Sequence, residues 1–270
     1  MSTGSGLEPD AETRRRGDAE NLPLPLGEGR GEGSLPASPR LPAPASAEGR
    51  AAPRALLLLG QPARVQRQFH NQPEHWALLA GHLRAAHLSR RWLTDDLRVL
   101  NPHDLRRFDV VLNYTSETDA TAEQVAALLA AVEGGTGYVG LHGATASFVT
   151  HPRYLAMIGG RFRRHDPIKR FAIHFVDRDH PITEGLADYE HEDELYELTA
   201  DFVDRTNVVP LQGVRVLAQA EGHPMVYVKA HGAGRVVYLA SGHDARSLGH
   251  PTYRLLFTRA IAWAARPSRA

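Results

Sequence analysis

The stretch FDVVLNYTSETDATAEQVAALLAAVEGGTGYVGLHG, residues 108–143, predicts a strand, a helix and a second strand. FDVVLNY and GYVGL are short apolar runs of the kind found in buried parallel strands. Between them, apolar residues recur at helical spacing. Thr121 is the expected N-cap of this helix, and Gly134 and Gly135 mark its end. This order of elements predicts a βαβ unit.

The same alternation extends towards both ends of the chain. ALLLLG (residues 55–60) predicts a first strand, residues 74–87 a helix, and RRWL a short second strand. Beyond residue 160, KRFAIHFVD, ELYELT and VRVLAQA are strand candidates. HPMVYVKAHGAGRVVYLASG predicts two strands joined by a glycine-rich turn, and residues 251–265 predict a closing helix. We therefore predict a parallel sheet with helices on both faces.

Composition excludes several classes of protein. The 31 basic and 31 acidic residues give a formal net charge of zero, so neither a nucleic acid nor a membrane surface is expected as a partner. No apolar run approaches the roughly 18 residues of a membrane span. The chain has no cysteine, which excludes disulfides, thiolate metal sites and a cysteine nucleophile. A cytoplasmic location is the default expectation.

The first 52 residues differ from the rest of the chain. They contain no aromatic residue and are rich in Pro, Gly, Ser and charge. Such a segment buries too little apolar surface to offset its ordering entropy. We predict a disordered extension over residues 1–52 and one folded domain over residues 53–267.

Histidine is the outlier of the composition, with 15 copies. The segment GYVGLHGATASF resembles the sharp strand-to-helix turn that carries a nucleophile, but His142 stands in the position where Ser or Cys is expected. Ligands of open α/β sheets bind beyond the carboxyl ends of the strands, and Gly140 and Gly143 allow close approach there. We expect His142 to be functional; a histidine that only fixes the turn is the alternative.

Two further segments carry candidate groups. His243 and Asp244 follow the strand RVVYLAS, so they are expected at the same sheet edge as His142, unless Asp244 only caps a loop. Glu194 lies in HEDELYEL. If residues 193–198 form one strand, Glu194 and Tyr196 share a face, and the carboxylate could orient a histidine or serve as a base; a solvated acidic run is the alternative.

His165 lies in the basic segment RFRRHD. Its arginines could bind an anion or sugar hydroxyls, or they could simply be a solvated charge run.

Six segments together resemble a known family: GGTGYVGLHGATASF, YLAMIGGRFRRHDPI, DRDHPITEGL, HEDELYEL, HPMVYVKAHGAGRVVYLASGHD and AIAWAA. In this order they resemble the ThuA-like family, named for trehalose utilisation, over residues 56–265. The resemblance implies a flavodoxin-like α/β fold related to class I glutamine amidotransferases. We expect a three-layer sandwich with a mostly parallel central sheet and additional antiparallel strands in the C-terminal half. It also implies a role in sugar catabolism.

The resemblance also assigns site residues. The family's early F-R-H motif is matched by QFHN, with Gln68 in place of the arginine, and its F-x-x-H-P motif by FRRHDP, with Asp166 inserted before the proline. The remaining motifs are matched by LHGAT, by Asp193 with Glu194 and Tyr196, and by Gly242 with His243 and Asp244. The expected catalytic residues are His142, His243, Glu194 and Asp244, and the expected substrate-binding residues are His70, Thr145, His165 and Tyr196.

The residue types limit the chemistry. Glutaminase activity is excluded because there is no cysteine. Ser147 lies five positions beyond His142 and is expected inside the following helix. One hypothesis places a divalent ion such as zinc on His142 and His243, with His70 or His165. The other makes His142 and His243 a general acid and base, with Glu194 tuning one of them.

The expected substrate is a small-molecule carbohydrate, either a polyol or a sugar derivative such as an oxidised (keto) sugar. Its reaction would be that of a hydrolase or a lyase. The alternative is a non-catalytic sugar-binding or regulatory module. No nucleotide is expected, because the chain has neither a phosphate-binding loop nor a dinucleotide-binding motif. A homo-oligomer is compatible with the sequence.

Overall fold

In the part of the chain that the structure describes, a nine-stranded mixed sheet with helices packed against it forms the core. The computed structural model describes residues 52–60 and 72–265, which belong to one compact unit of the chain. The strands are β1 (Arg54–Gly60), β2 (Arg90–Thr94), β3 (Val110–Thr115), β4 (Gly137–Leu141), β5 (Arg161–His165), β6 (Lys169–Phe175), β7 (Tyr189–Asp193), β8 (Tyr196–Thr199), β9 (Arg215–Ala220), β10 (His223–His231) and β11 (Gly234–Leu239). The helices are α1 (Gln72–Ala85), α2 (Pro102–Leu105), α3 (Ala122–Glu133), α4 (Pro152–Ile158), α5 (Ala245–Gly249) and α6 (Pro251–Ala264).

The order of the strands is β2-β1-β3-β4-β11-β10-β9-β6-β7. The first five strands are mutually parallel, and each later neighbour pairs antiparallel. β3 and β4 are buried along their whole length, which explains their continuous apolar character. The predicted α/β class, with a parallel sheet and additional antiparallel strands in the C-terminal half, is confirmed.

Sequence signals at both ends of α3 determine where this helix begins and ends before β4. Thr121 caps α3 as predicted: its hydroxyl accepts from the backbone N–H of Gln124, whose side chain accepts from the N–H of Thr121 in return. The buried face of α3 includes Leu128 and Leu129, and the helix ends at Gly134. α3 thereby returns the chain to the edge of β3, so that β4 enters the sheet parallel to it.

The β6–β7 hairpin leaves the plane of the sheet. β6 pairs with β9 only at His174 and Phe175. In a flat sheet, four strand spacings would place β7 about 19 Å from β11. However, an Asp193 carboxylate oxygen accepts a hydrogen bond from the Gly242 N–H, just after β11, at 2.8 Å. The hairpin therefore folds back over the carboxyl ends of β4 and β11.

A second, two-stranded sheet continues from this hairpin. β5 and β8 pair antiparallel and place His165 opposite Tyr196. Residues 193–198 do not form one strand, because β7 ends at Asp193 and β8 begins at Tyr196, so the condition for Glu194 and Tyr196 to share a face is not met. Glu194 lies in the connection between the two sheets, where a strand's alternation of faces does not apply.

Two sequence predictions concern residues outside the described ranges. The first is the disordered extension over residues 1–52, of which only Ala52 is described. The second is the substrate-binding role of His70. Among the helices that the structure describes, none is long and apolar enough to cross a membrane.

Candidate functional site

His142 stands at the end of β4, where the strand turns into a short 3₁₀ helix, His142–Ala146. Its φ of 42° lies in the left-handed region, which is uncommon for a residue other than glycine. The turn packs closely on the end of β3, because a Cβ added at Gly143 would lie 2.7 Å from the Ser116 Cβ. The His142 side chain is buried. Its Nδ1 lies 2.8 Å from the Ala240 carbonyl, so Nδ1 carries the proton and Nε2 faces Glu194.

Three imidazoles surround the carboxylate of Glu194. The distance from His142 Nε2 to Glu194 Oε2 is 3.3 Å, and that from His243 Nδ1 to the same oxygen is 3.1 Å. His165 Nε2 lies 3.4 Å from the other oxygen, Oε1. His142, Glu194 and His243 each offer one possible ligand atom, and these atoms all lie within 4.8 Å of one another. We call these three residues the histidine–carboxylate cluster.

Asp193 ties the loop that carries His243 to the connection that carries Glu194. Its carboxylate accepts from the N–H of Gly242 at 2.8 Å, of His243 at 3.3 Å and of Glu194 at 2.8 Å. His191 Nε2 lies 3.1 Å from the same carboxylate. Gly242 has a φ of 131°, which a residue with a side chain rarely adopts. The loop after β11 is thus fixed by specific backbone contacts.

Burial and ion pairing shift the pKa values of three ionisable groups at the site. Burial disfavours the charged form of His142, but the Glu194 and Asp193 carboxylates outweigh burial and raise the pKa of its imidazole. Burial also disfavours the ionised form of Glu194, yet hydrogen bonds with His142 and His243 hold the pKa of this carboxyl well below its usual range. The pKa of Asp193 is lowered against the effect of burial by His191, by the charge of His142 and by the Gly242 N–H. Both carboxylates are therefore ionised at neutral pH.

Aromatic rings form one wall of the site. The Tyr196 ring lies 4.2 Å from the His142 ring, and the Phe162 ring 4.5 Å from that of Tyr196. The side chain of His165 is 33% exposed, whereas that of Glu194 is 7% exposed. The cluster is therefore buried, and His165 lies on its solvent-facing side.

The other sequence-predicted residues are placed less centrally. Thr145 is a buried residue of the turn itself, with its hydroxyl 3.0 Å from the Tyr238 hydroxyl. Asp244 caps α5: it accepts from the N–H groups of Arg246 and Ser247 and pairs with the Arg246 guanidinium. The structure does not bring Asp244 into the cluster, because its carboxylate is engaged by the helix N-terminus.

Two expectations about neighbouring segments also changed. Ser147 does not lie inside a helix; it follows the 3₁₀ turn in an extended conformation (φ −100°, ψ 157°). The arginines beside His165 pair with acidic groups: Arg163 lies 2.7 Å from Glu197, and Arg164 contacts both Glu197 and Asp166. These pairs neutralise Arg163 and Arg164, whereas the Arg161 guanidinium donates to the Phe202 and Val203 carbonyls.

The sequence matched Asp193 to the family's acidic motif but did not predict its role in the site. Asp193 lies within the same acidic motif as Glu194, and this was the available signal. Its contacts depend on the return of the β6–β7 hairpin to the loop after β11. That return is a tertiary event with no local pattern in the sequence.

Fold and site together define a mixed α/β protein with a buried histidine–carboxylate cluster at the carboxyl ends of adjacent parallel strands. The family model for ThuA, described as trehalose utilisation, matches residues 64–264. The chain therefore belongs to the ThuA family, and the predicted resemblance is confirmed.

Solved structures show the same fold. A protein described as ThuA-like from Parabacteroides merdae is 17% identical, with a TM-score of 0.66 over 82% of this chain and 93% of that chain. Another from Bacteroides uniformis is 19% identical, with a TM-score of 0.64 over 83% of this chain and 95% of that one. A β-galactosidase from Rahnella sp. R3 is 15% identical, with a TM-score of 0.51 over 80% of this chain and 32% of the larger enzyme. A comparison with curated protein sequences finds no match. At these identities, the likeness establishes the fold alone.

Proposed function

We propose that this ThuA-family chain acts on a sugar or an oxidised (keto) sugar in carbohydrate catabolism, as a hydrolase or a lyase, through the histidine–carboxylate cluster. The observation that carries the proposal is the convergence of His142, Glu194 and His243 from three separate segments of the chain. A cytoplasmic location and a small-molecule carbohydrate as the partner belong to the same proposal.

The convergence exceeds what stability alone requires. Burying a charged group costs free energy, and one well-placed partner is enough to neutralise a buried carboxylate. Glu194 has three imidazoles within 3.4 Å, and a second buried carboxylate, Asp193, directly precedes it. Such concentrations of perturbed ionisable groups are typical of active sites.

The position of the cluster also favours binding. His142 follows β4 and His243 follows β11, and these two strands are parallel neighbours. Ligands of open α/β sheets bind beyond the carboxyl ends of such strands. The rings of Phe162 and Tyr196 offer apolar faces beside the polar groups, a combination suited to a sugar.

The cluster supports the two chemistries that the sequence left open. Its imidazoles and carboxylate could exchange a proton with a sugar hydroxyl or with a carbon next to a sugar carbonyl. Alternatively, the same groups could hold a divalent ion that polarises the carbonyl or activates water. Both routes use Glu194, so its removal tests the site whichever route operates.

The first prediction concerns Glu194→Gln, which keeps the size of the side chain and removes its charge. With a panel of sugars and keto sugars, we expect wild-type turnover of at least one compound and a fall in kcat of about 100-fold or more in the variant. Glu190→Gln is the matched control, because Glu190 is an exposed carboxylate on β7, 3.6 Å from Arg170. Its activity should equal that of the wild type.

Two results would contradict the proposal. Full activity in Glu194→Gln would remove the cluster from the reaction. Saturable sugar binding without turnover of any compound, measured by calorimetry, would favour the non-catalytic binding module.

A further inference from the structure

We propose that His142 Nε2, His243 Nδ1 and the Glu194 carboxylate form a three-ligand site for a divalent transition metal, zinc in the first instance. The remaining coordination positions would face His165 and take oxygen ligands from the substrate. The substrate part of this inference rests on the proposed function; the metal site does not.

The donor set and its distances fit a metal. Two imidazoles and one carboxylate are a common ligand set for catalytic zinc, which keeps at least one position open. Ligand atoms about 2.0–2.2 Å from a metal, at ligand–metal–ligand angles between 90° and the tetrahedral value, lie about 2.8–3.6 Å from one another. The distances of 3.1 and 3.3 Å from the Glu194 oxygen to His243 and His142 fall in this range. The third pair of ligand atoms, His142 Nε2 and His243 Nδ1, lies within 4.8 Å.

The surroundings of His142 resemble those of a metal-bound histidine. Such a histidine donates its second N–H to a carbonyl or carboxylate, which fixes the tautomer and directs the other nitrogen at the metal. In His142 the Nδ1–H donates to the Ala240 carbonyl at 2.8 Å. Its ring and that of His243 are inclined at 72°, with their centroids 5.6 Å apart. The contact with Ala240 thus orients His142 Nε2 towards the Glu194 carboxylate.

Charge favours a cation at the same point. Glu194 and Asp193 are adjacent buried carboxylates. A divalent ion bound between His142, Glu194 and His243 would lie beside these two carboxylates.

The structure places His165 outside the ligand set. Its Nε2 faces Glu194 Oε1, whereas His142 and His243 both face Oε2. It also lies on the solvent-facing side, where a substrate would enter. A metal with three protein ligands has room for two oxygens, so we assign to this site a sugar with a carbonyl next to a hydroxyl group.

The experiment uses the full chain without an affinity tag. After treatment with a chelator, calorimetric titrations with ZnCl₂ and CoCl₂ measure affinity and stoichiometry, and the visible spectrum of the Co²⁺ form reports on the ligand set. We expect one ion per chain, and a Zn²⁺ affinity at least about tenfold weaker in Glu194→Gln and in His243→Gln. His174→Gln is the matched control, because His174 pairs with Asp188 at 3.1 Å on the surface. Its affinity should not change.

The outcomes separate this inference from the proposed function. Absence of stoichiometric binding to the wild type, or equal affinity in all variants, would overturn the metal site. The wild-type Co²⁺ spectrum tests the site even if a variant fails to fold. Metal binding without turnover of any sugar would support the metal site and contradict the proposed function. Turnover of a sugar by a wild-type protein that binds no stoichiometric metal would support the proposed function and contradict the metal site.

Discussion

At the scale of single residues, position 142 combines a strained backbone with a buried imidazole. A left-handed conformation at such a residue costs about 1–3 kcal/mol and persists only where the surroundings enforce it. At His142 the Tyr238 hydroxyl donates to the backbone carbonyl at 2.8 Å, and Ala240 holds the ring. Strain of this kind clusters at functional sites, which agrees with the role proposed for His142.

The tight packing of the turn can be tested at Gly143. An alanine Cβ there would lie 2.7 Å from the Ser116 Cβ and 2.9 Å from the Thr115 carbonyl oxygen. We expect Gly143→Ala to lower the free energy of unfolding by about 1–3 kcal/mol, measured by denaturant titration. Gly249→Ala is the control, because nothing lies within 4 Å of its added Cβ. Equal stability of the two variants would show that the turn can relax.

Some site residues could be predicted from the sequence. His142 and His243 follow apolar runs that are recognisable as strands, and a parallel sheet gathers such strand ends at one edge. The structure brings both together with Glu194, although their catalytic role stays a prediction. Asp244 shows the limit of this reasoning. Its position after His243 suggested a catalytic carboxylate, but a carboxylate that caps a helix can occupy the same position in the sequence.

At the scale of elements, the connection between β7 and β8 unites the two sheets at the site. Asp193 ends β7 and anchors the loop after β11, while Glu194 begins the connection. We regard Asp193 as a positioning residue, because its contacts are to the backbone and to His191 rather than to the cluster's ligand atoms.

Asp193→Asn should therefore change the site as well as the fold. The amide would place an N–H₂ group against at least one donor, either a backbone N–H or His191. We expect a Zn²⁺ affinity about 10–100-fold weaker, measured by calorimetry on the folded variant, and an altered Co²⁺ spectrum. A lower Tm with wild-type affinity and spectrum would assign Asp193 a purely structural role.

The strands of this region were predictable, but their arrangement was not. The alternation in KRFAIHFVD and the glycine-rich turn of HGAG correctly indicated β6 and the β10–β11 hairpin. The acidic run around Glu194 suggested one strand, yet the chain changes sheets there. Sheet changes depend on distant partners, here the backbone of Gly242, and therefore leave no periodic signal.

At the scale of the whole molecule, several buried or partly buried histidines make stability depend on pH. Burial lowers the pKa of His82 and His180, and partial burial lowers that of His231. His82 lies between the rings of Tyr253 and Phe257, and its Nε2–H donates to the Leu248 carbonyl at 2.7 Å. A second proton on this ring would be buried in an apolar region.

The sign of the pH dependence follows from these lowered pKa values. The unfolded chain, with histidine pKa values near about 6.5, binds more protons than the folded chain below that pH. The stability contributed by neutral His82 is therefore present above about pH 6.5 and is lost as the pH falls towards the lower folded pKa. We expect the Tm of the wild type to fall more steeply between pH 7 and 5 than that of His82→Gln. Parallel curves would contradict the assignment.

The sequence also indicated the organisation of the whole molecule. The alternating strands and helices, together with six ordered motifs, were sufficient for the α/β class and the family. The boundary near residue 52 stays a prediction from composition. The antiparallel strands of the sheet were expected. The return of the β6–β7 hairpin to the site was not, because it accompanies a pairing of only two residues between β6 and β9.

The order of the cluster along the chain has a consequence for biosynthesis. His142 and Glu194 leave the ribosome before β11, which is the parallel neighbour of β4 and precedes His243. Until β11 inserts, β4 lacks this neighbour and the Asp193 carboxylate lacks the Gly242 amide. The cluster is therefore assembled only after Gly242 and His243 have been translated, and a nascent chain that stops before Gly242 carries the acidic groups of the site without the loop that organises them.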